Sequence, residues 1–323
     1  MSTTIGTARR KDARSTARLP RTAPANAGGP QQTSGPDTPH NTAEAGRAPL
    51  VLPFAGYAVT SVGVVLALFV LYLFGFSGIQ AARDQHKLLS QVTNGPAGLA
   101  ALSGAVPGDG QPAAVLTIPA IKVRQVVVEG TSAADLQSGP GLMPGTAPVG
   151  TLGDTVIAGR RTAFGGPFAS IGQLRAGDRI TLVSALGTFQ YRVTGAELIR
   201  DTDQMAIGAQ TSTARLALVT SAATFGGGGF LVVRARLFGT AVTAPNPSLP
   251  LPPASELSLA GDASAEVPSL LWGEALILGI SLTIVAYRRS RLPAVTYVMT
   301  TPVLVVIALF CYESASRLLP ATL

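Results

Sequence analysis

Two alternating apolar runs joined by four glycines constrain the fold of this chain more than any other feature of its sequence. Residues 216–237 read LALVTSAATFGGGGFLVVRARL. In the first run, alternate positions form two sets: Leu216, Leu218 and Thr220 against Ala217, Val219 and Ser221. After the glycines the same alternation resumes, with Leu231, Val233, Ala235 and Leu237 on one face and Phe230, Val232, Arg234 and Arg236 on the other. A period of two is typical of β-strands, so the sequence predicts two strands joined by a loop, the first ending at Ser221.

Further strand-like runs fill the stretch from Ala113 to Gly239, which is long enough for one hydrophobic core. They are Val115–Ile118, Val123–Glu129, Thr155–Ala158, Arg179–Ser184, Thr188–Gly195, Arg215–Ser221 and Phe230–Phe238. Turns that contain glycine separate these runs, and this favours an antiparallel barrel or sandwich. One short helix is expected over Pro167–Leu174, where Phe168, Ile171 and Leu174 share a face.

The rest of the chain is too apolar for an ordinary soluble enzyme. Apolar residues make up 47% of the sequence, charged residues only 13%, and the mean hydropathy is +0.37. This composition predicts several membrane spans beside one modest domain. The net charge of +7 lies mainly in the N-terminal tail and beside apolar segments, which favours a membrane protein over a nucleic-acid-binding one.

Three apolar segments have the length of a membrane span, and they divide the chain. The predicted segments are a disordered basic cytoplasmic tail (1–49), a first transmembrane helix (50–76), a stalk and linker (77–112), the β-domain (113–239), a Pro-rich linker (240–268), a second transmembrane helix (269–287), a cytoplasmic loop (288–293), a third transmembrane helix (294–312) and an extracytoplasmic tail (313–323). The first span follows about fifty residues, so we interpret it as a retained signal-anchor. The basic N-terminus and the Arg288–Arg291 loop both belong in the cytoplasm by the positive-inside rule. The β-domain is then outside. Glu274 lies either at the headgroup level or in a pair with another span.

The β-domain resembles the sortases, the cell-surface transpeptidases of Gram-positive bacteria. Sortases carry a TLTTC strand, a loop and then R-L-V-V-x-A-x-L, and this chain keeps that frame around Ser221 and Phe230. The similarity extends through IPAIKVRQVVVEG (118–130), LQSGPGLMPGTAPVG (136–150), DTVIAGRRTAFGGPFASIGQLRAGDRI (154–180) and FQYRVTG (189–195). The actinobacterial sortases are the most similar in these motifs. The resemblance implies an all-β, eight-stranded sortase-like barrel, anchored by one N-terminal and two C-terminal transmembrane helices.

The residues that carry sortase chemistry are replaced in this sequence. Sortases use a cysteine nucleophile, a histidine acid/base and an arginine that stabilises the oxyanion; at the matching positions stand Ser221, Arg160 and Phe230. The only cysteine is Cys311 and the only histidines are His40 and His86, so the domain holds neither residue type. A thiolate–imidazole pair cannot form within it.

Two interpretations follow for the site. A serine enzyme would need a base near Ser221, and Lys122 is the only lysine of the domain. The leading hypothesis is a catalytically inactive binding or scaffold module of the envelope that uses the former substrate groove. Candidate groove residues are Arg160, Arg161, Thr162, Thr220, Ser221 and Phe230. The two arginines form either a solvated rim or an anion-binding mouth.

The expected partners of this module are the membrane and, through the groove, a surface peptide, an envelope polymer or a partner membrane protein. No cofactor, metal or nucleic acid is expected. The Gly226–Gly229 run is expected to make the loop over the groove mobile.

Overall fold

The computed structural model describes residues 63–94, 108–200, 212–223, 228–243 and 259–323. Its strands are β1 (Pro112–Ile118), β2 (Val123–Glu129), β3 (Gly141–Leu142), β4 (Gly153–Ala158), β5 (Arg179–Ser184), β6 (Gly187–Ile199), β7 (Ala214–Ser221) and β8 (Phe230–Leu237). Its α-helices are α1 (Ser77–Asn94), α2 (Asp135–Ser138), α3 (Glu266–Arg289) and α4 (Pro293–Arg317). Helix α1 continues a helical segment whose described part begins at residue 63 and includes a π-helical turn at Tyr72–Phe76.

The eight strands form a closed barrel in the order β1-β2-β3-β4-β7-β8-β6-β5. Strand β2 runs parallel to β3, and β4 runs parallel to β7, whereas the other neighbours are antiparallel. Every strand has a neighbour on both sides, although β3 pairs with only Val128 and Glu129 of β2. The predicted all-β, eight-stranded barrel is therefore confirmed, and seven of its strands correspond to the strand-like runs found in the sequence. Strand β3 is two residues long, too short to show a period.

The alternating residues of β7 and β8 separate into two clusters, as predicted. The inner cluster fills the barrel with residues from most strands, including Leu116, Ile157, Leu182, Leu218 and Val233. Tyr191 is buried among them, and its hydroxyl oxygen accepts a hydrogen bond from the Gly150 N–H at 2.8 Å.

The outer cluster covers the opposite face of β4, β7 and β8. It combines strand residues with residues of distant segments: Ala133, Leu136, Met143, Val156, Ala158, Ile199, Ala217, Val219, Phe230, Val232, Leu259 and Ala321. Leu259 and Ala321 lie beyond the barrel in sequence. This face of the sheet is thus buried by chain segments that follow the domain.

The prediction of one short helix over Pro167–Leu174 is only partly correct. The structure has turns there and a single 3₁₀ turn at Ile171–Gln173. The face was predicted correctly, because Phe168, Ile171 and Leu174 all enter the inner cluster. The N–H groups of Ala169, Ile171, Gln173 and Leu174 each donate to the carbonyl oxygen three residues earlier, so the segment forms successive turns instead of an α-helix.

Three described helical segments are long and apolar enough to cross a membrane: Gly63–Val92, Ala263–Arg289 and Ala294–Arg317. They overlap the three predicted spans, although residues 50–62 of the first lie outside the described part of the chain. Trp272 of α3 stacks on Phe310 of α4 with ring centroids 4.9 Å apart. The Tyr312 hydroxyl of α4 donates to the Val65 carbonyl oxygen at 3.1 Å and so ties α4 to the first segment. Glu274 is exposed on α3.

Candidate functional site

The candidate groove residues meet at one end of β4, β7 and β8. Ala158 pairs with Val219, and Ser221 pairs with Phe230. Because β4 and β7 are parallel, the residues that follow each strand emerge side by side at this end. We call the surface formed by Ala158, Arg160–Ala163, Val219, Ser221 and Phe230 the outer groove.

Arg160, which by resemblance replaces the sortase histidine, is completely buried. Its Nε–H donates to the Leu136 carbonyl oxygen at 3.1 Å, and its second terminal nitrogen donates to the Ala133 carbonyl oxygen at 2.8 Å. The guanidinium also lies over the Phe164 ring, 4.8 Å from its centroid. The side chain therefore holds the turn before α2 against the outer groove.

The prediction of a solvated arginine rim is wrong for Arg160. The residue ends no exposed strand, because residues 161–166 fold back over it as a loop. Burial lowers the pKa of its guanidinium to about 10, with the nearby Tyr72 phenol opposing the shift. The group remains protonated at neutral pH and cannot accept a proton from a nucleophile.

Arg161 takes a different position, partly exposed at the mouth of the outer groove. One terminal nitrogen donates to the Ser221 carbonyl oxygen at 2.8 Å and to the Ala222 carbonyl oxygen at 3.0 Å. This arginine fixes the chain that leaves β7 to the loop that leaves β4. Thr162, next to it, is also partly exposed.

Ser221 and Thr220 have local hydrogen-bond partners. The Ser221 hydroxyl donates to the Ala223 carbonyl oxygen at 2.9 Å, and the side chain is 3% exposed. The Thr220 hydroxyl is buried and donates to the Gly159 carbonyl oxygen at 2.8 Å. Among the described residues, no acidic or basic side chain accepts the Ser221 hydroxyl proton.

Strand register separates Lys122 from Ser221. Val128 of β2 is level with Val219 through the pairs to Gly141 and Ala158. Along β2, Lys122 lies six residues from this level, and along β7, Ser221 lies two residues from it, towards the same end of the barrel. The two residues are therefore about 13 Å apart along the strand direction. Three strand spacings separate β2 from β7, which adds about 14 Å across the strands. The lysine amine therefore does not reach the serine hydroxyl.

A short chain segment that the sequence did not single out covers the outer groove. Ala321, Thr322 and Leu323 are 0%, 1% and 6% exposed. The Arg161 N–H donates to the Thr322 carbonyl oxygen at 3.0 Å, and the Thr162 and Ala163 N–H groups donate to a Leu323 main-chain oxygen at 3.1 and 3.2 Å. Neither charge nor periodicity in 313–323 indicated this contact.

Gln85 of α1 is a second residue that sequence reasoning missed. Its side-chain amide donates to the Val126 and Ser138 carbonyl oxygens at 3.0 and 2.8 Å, and its Oε1 accepts from the Val126 N–H at 2.8 Å. The stalk helix thus docks on the part of β2 that precedes its pairing with β3. The predicted mobile Gly226–Gly229 loop lies partly outside the described residues, which omit 224–227.

Comparison with known proteins agrees with this architecture. The family model of the sortase domain matches residues 116–238. Sortase D of Bacillus subtilis (strain 168) is 31% identical over 114 residues, which cover 35% of this chain and 56% of that protein. The chain therefore spans about half the length of this curated relative. Over residues 116–238 the barrel is therefore similar in sequence to the sortase domain.

Solved sortase structures are similar to the same region. A sortase D5 transpeptidase of Clostridium perfringens is 22% identical, with a TM-score of 0.43, covering 49% of this chain and 98% of that one. Sortase E of Streptomyces avermitilis is 30% identical, with a TM-score of 0.37, covering 41% of this chain and 91% of that one.

Proposed function

We propose that this protein is a membrane-anchored, catalytically inactive sortase-like module of a Gram-positive, actinobacterial cell envelope. It binds a surface peptide, an envelope polymer or a partner membrane protein through the outer groove. The proposal treats the barrel as a scaffold whose groove kept a binding surface and lost its acid/base chemistry.

The burial of Arg160 is the observation that carries this proposal. In the position that the family gives to an acid/base histidine, this chain has a protonated guanidinium, two of whose nitrogens donate to the Ala133 and Leu136 carbonyl oxygens. A histidine exchanges protons near neutral pH, whereas this arginine does not. Its contacts support a structural role for Arg160 at the position where sortases have a catalytic histidine.

The surroundings of Ser221 and Phe230 support the same conclusion. Ser221 donates to a main-chain oxygen, and its only candidate lysine is remote by strand register. Phe230, in place of the oxyanion arginine, is 7% exposed and packs in the outer cluster. An apolar ring offers no hydrogen bond to a developing oxyanion.

The competing candidate is a divergent sortase-type transpeptidase that uses Ser221 as its nucleophile. The match to the sortase family over 116–238 favours it, because that family is known for transpeptidation. It requires a base that reaches Ser221 when a substrate binds.

The two candidates differ in a covalent intermediate. We would incubate the detergent-purified full chain with sorting-signal peptides and an amine acceptor, then examine the intact protein by mass spectrometry. The binding module predicts no acyl adduct, and Ser221→Ala retains biological function in cells. An adduct on Ser221 that disappears in Ser221→Ala would establish the enzyme instead.

Membrane orientation is part of the proposal. The basic N-terminus and the loop around Ser290 face the cytoplasm, and the barrel and residues 313–323 face outwards. The hydrogen bonds between residues 161–163 and 322–323 support this, because they put both segments on one side of the membrane. A reporter that is active only outside the cell should be active when fused after Leu323, and one that is active only in the cytoplasm should be active when inserted at Ser290. A cytoplasmic reporter signal after Leu323 would refute the arrangement.

A further inference from the structure

The contact between the outer groove and residues 320–323 has the form of a protein–peptide complex. Three successive N–H groups of the groove, from Arg161, Thr162 and Ala163, donate to main-chain oxygens of Thr322 and Leu323. Main-chain hydrogen bonds of this kind supply the affinity when a protein binds an extended or turned peptide.

A side-chain contact adds to the main-chain bonds. Ala321 is completely buried in the outer cluster, which also contains Phe230 and Val219. The Ala321 N–H donates to the Leu259 carbonyl oxygen at 3.0 Å, and the Leu323 N–H closes a turn on the Pro320 carbonyl oxygen at 3.1 Å. Because Ala321 is 0% exposed, we expect the site to accept only a small residue at this position.

The contact also supplies acceptors for main-chain donors of the groove. Residues 322–323 accept hydrogen bonds from all three groove N–H groups, one of which belongs to the buried residue Ala163. When the segment leaves, these donors are open to another peptide with the same main-chain pattern. Any other ligand of the groove must then compete with the chain's own residues 322–323.

We propose that the outer groove is a peptide-binding site whose resident ligand is residues 319–323 of this chain, and that an external peptide binds only when this segment is released. The proposal rests on the proposed function, since it names what the non-catalytic groove holds. The external ligand is a short peptide with the sequence pattern of this segment, in which a small residue stands between a proline and a threonine, as in Leu-Pro-Ala-Thr-Leu.

Self-occupancy has a quantitative consequence. The apparent affinity for an external ligand falls in proportion to the fraction of molecules with a free site, so a segment that is docked nine-tenths of the time weakens binding about tenfold. Freeing the groove should therefore strengthen peptide binding by at least about tenfold.

Two variants free the groove in different ways. One ends at Leu318 and lacks residues 319–323; the other is Ala321→Gln, which puts a long polar side chain where a buried methyl group lies. The matched control is Leu318→Gln, because Leu318 is 40% exposed and directly precedes the segment. The probe is a fluorescent Leu-Pro-Ala-Thr-Leu amide, titrated into the unmodified protein and each of the three variants in lipid nanodiscs and followed by anisotropy.

We expect weak binding to the unmodified chain and to Leu318→Gln, and at least tenfold tighter binding to both freed variants. Amide hydrogen exchange at Arg161, Thr162 and Ala163 should speed up in the freed variants and slow again when peptide is added. Equal binding to all four proteins, or none to any, overturns the proposal. Loss of exchange protection in the barrel strands of both freed variants also overturns it, because the segment would then be part of the core.

Failure of the proposed function gives a different result. A covalent adduct between peptide and Ser221 would replace the binding module by an enzyme, yet the tenfold gain on release would still hold. If release of the segment gives no gain in affinity and no adduct forms, the proposal that residues 319–323 occupy the groove is refuted, whereas the proposal of a non-catalytic module still stands.

Discussion

The inside and the outside of this barrel are closed by different means. The inner cluster is made of residues from the domain itself, and its buried Tyr191 accepts one hydrogen bond from a neighbouring loop. The outer cluster is completed by Leu259 and Ala321, from segments that follow the domain, and beside it lies a buried cation, Arg160. The interior is thus determined by strand alternation, whereas the groove face is determined by contacts far apart in sequence.

The two regions should also differ in how they tolerate change. A closed barrel holds its interior from all sides, so a gap there cannot collapse. The outer face is covered by a short helix and by chain segments, which can move to fill a gap. The same reasoning makes the outer face the better place for a ligand or a regulatory contact, because its cover can open without unfolding the barrel.

The largest expected effect comes from one substitution made in each cluster. Leu218→Ala, inside the barrel at 0% exposure, should lower the free energy of unfolding by roughly 4 kcal/mol. Leu136→Ala, in the outer cluster at 1% exposure, should cost roughly 2 kcal/mol because α2 can settle into the gap. Pulse proteolysis of the full chain in detergent across a urea series measures both values. Leu198→Ala, at 73% exposure, is the control, and equal losses in the two clusters would contradict the comparison.

Next in size is the removal of the buried cation. Arg160→Ala leaves the Ala133 and Leu136 carbonyl oxygens without their donors, and we expect a loss of about 2 kcal/mol. Arg175→Ala, at an exposed arginine, should change stability by less than about 0.5 kcal/mol. The same proteolysis assay compares them. If Arg160→Ala is as neutral as Arg175→Ala, the arginine does not hold α2 against the groove.

Sequence reasoning succeeded where structure depends on local pattern. The bounds of Val123–Glu129 and Arg179–Ser184 agree with β2 and β5, because alternate residues face the inner cluster. It failed at Arg160, because the exposure of that side chain depends on residues 161–166 folding back and on α2 packing above. Sequence adjacency to a strand end does not encode either event.

Contacts between the barrel and segments distant in sequence could not be predicted for the same reason. Residues 313–323 were predicted as an extracytoplasmic tail, and nothing in their composition indicated that Ala321 would be buried against the barrel. Gln85 was one polar residue in a stalk predicted to be helical. The Gln85 amide has hydrogen-bond partners on β2 only because the two-residue β3 leaves part of β2 unpaired. Strand β3 itself was too short to detect in the sequence.

A smaller effect tests the docking of the stalk helix. Gln85→Ala removes the acceptor of the Val126 N–H and the donor to the Val126 and Ser138 carbonyl oxygens. We expect exchange of the Val126 amide to accelerate roughly tenfold, a local opening of about 1 to 2 kcal/mol, while the inner strands keep their protection. Lys87→Ala, at a side chain 73% exposed, is the matched control on the same helix. Acceleration throughout the barrel would mean that α1 stabilises the whole domain.

The smallest effect is expected at the family's nucleophile position. Ser221→Cys, in a Cys311→Ser background, replaces one hydroxyl that donates to the Ala223 carbonyl oxygen, so stability should change by less than about 1 kcal/mol. The new thiol lies at a position 3% exposed and has no base beside it, because Arg160 is protonated and turned inwards. A thiolate, not a thiol, is the reactive form, so labelling by a thiol reagent should be much slower than at Leu198→Cys, which is exposed. Ending the chain at Leu318 should speed up the labelling of Ser221→Cys by opening the groove, without producing transpeptidation. Fast labelling of Ser221→Cys in the full chain, or peptide transfer by it, would show that the outer groove is open and that only the cysteine was missing.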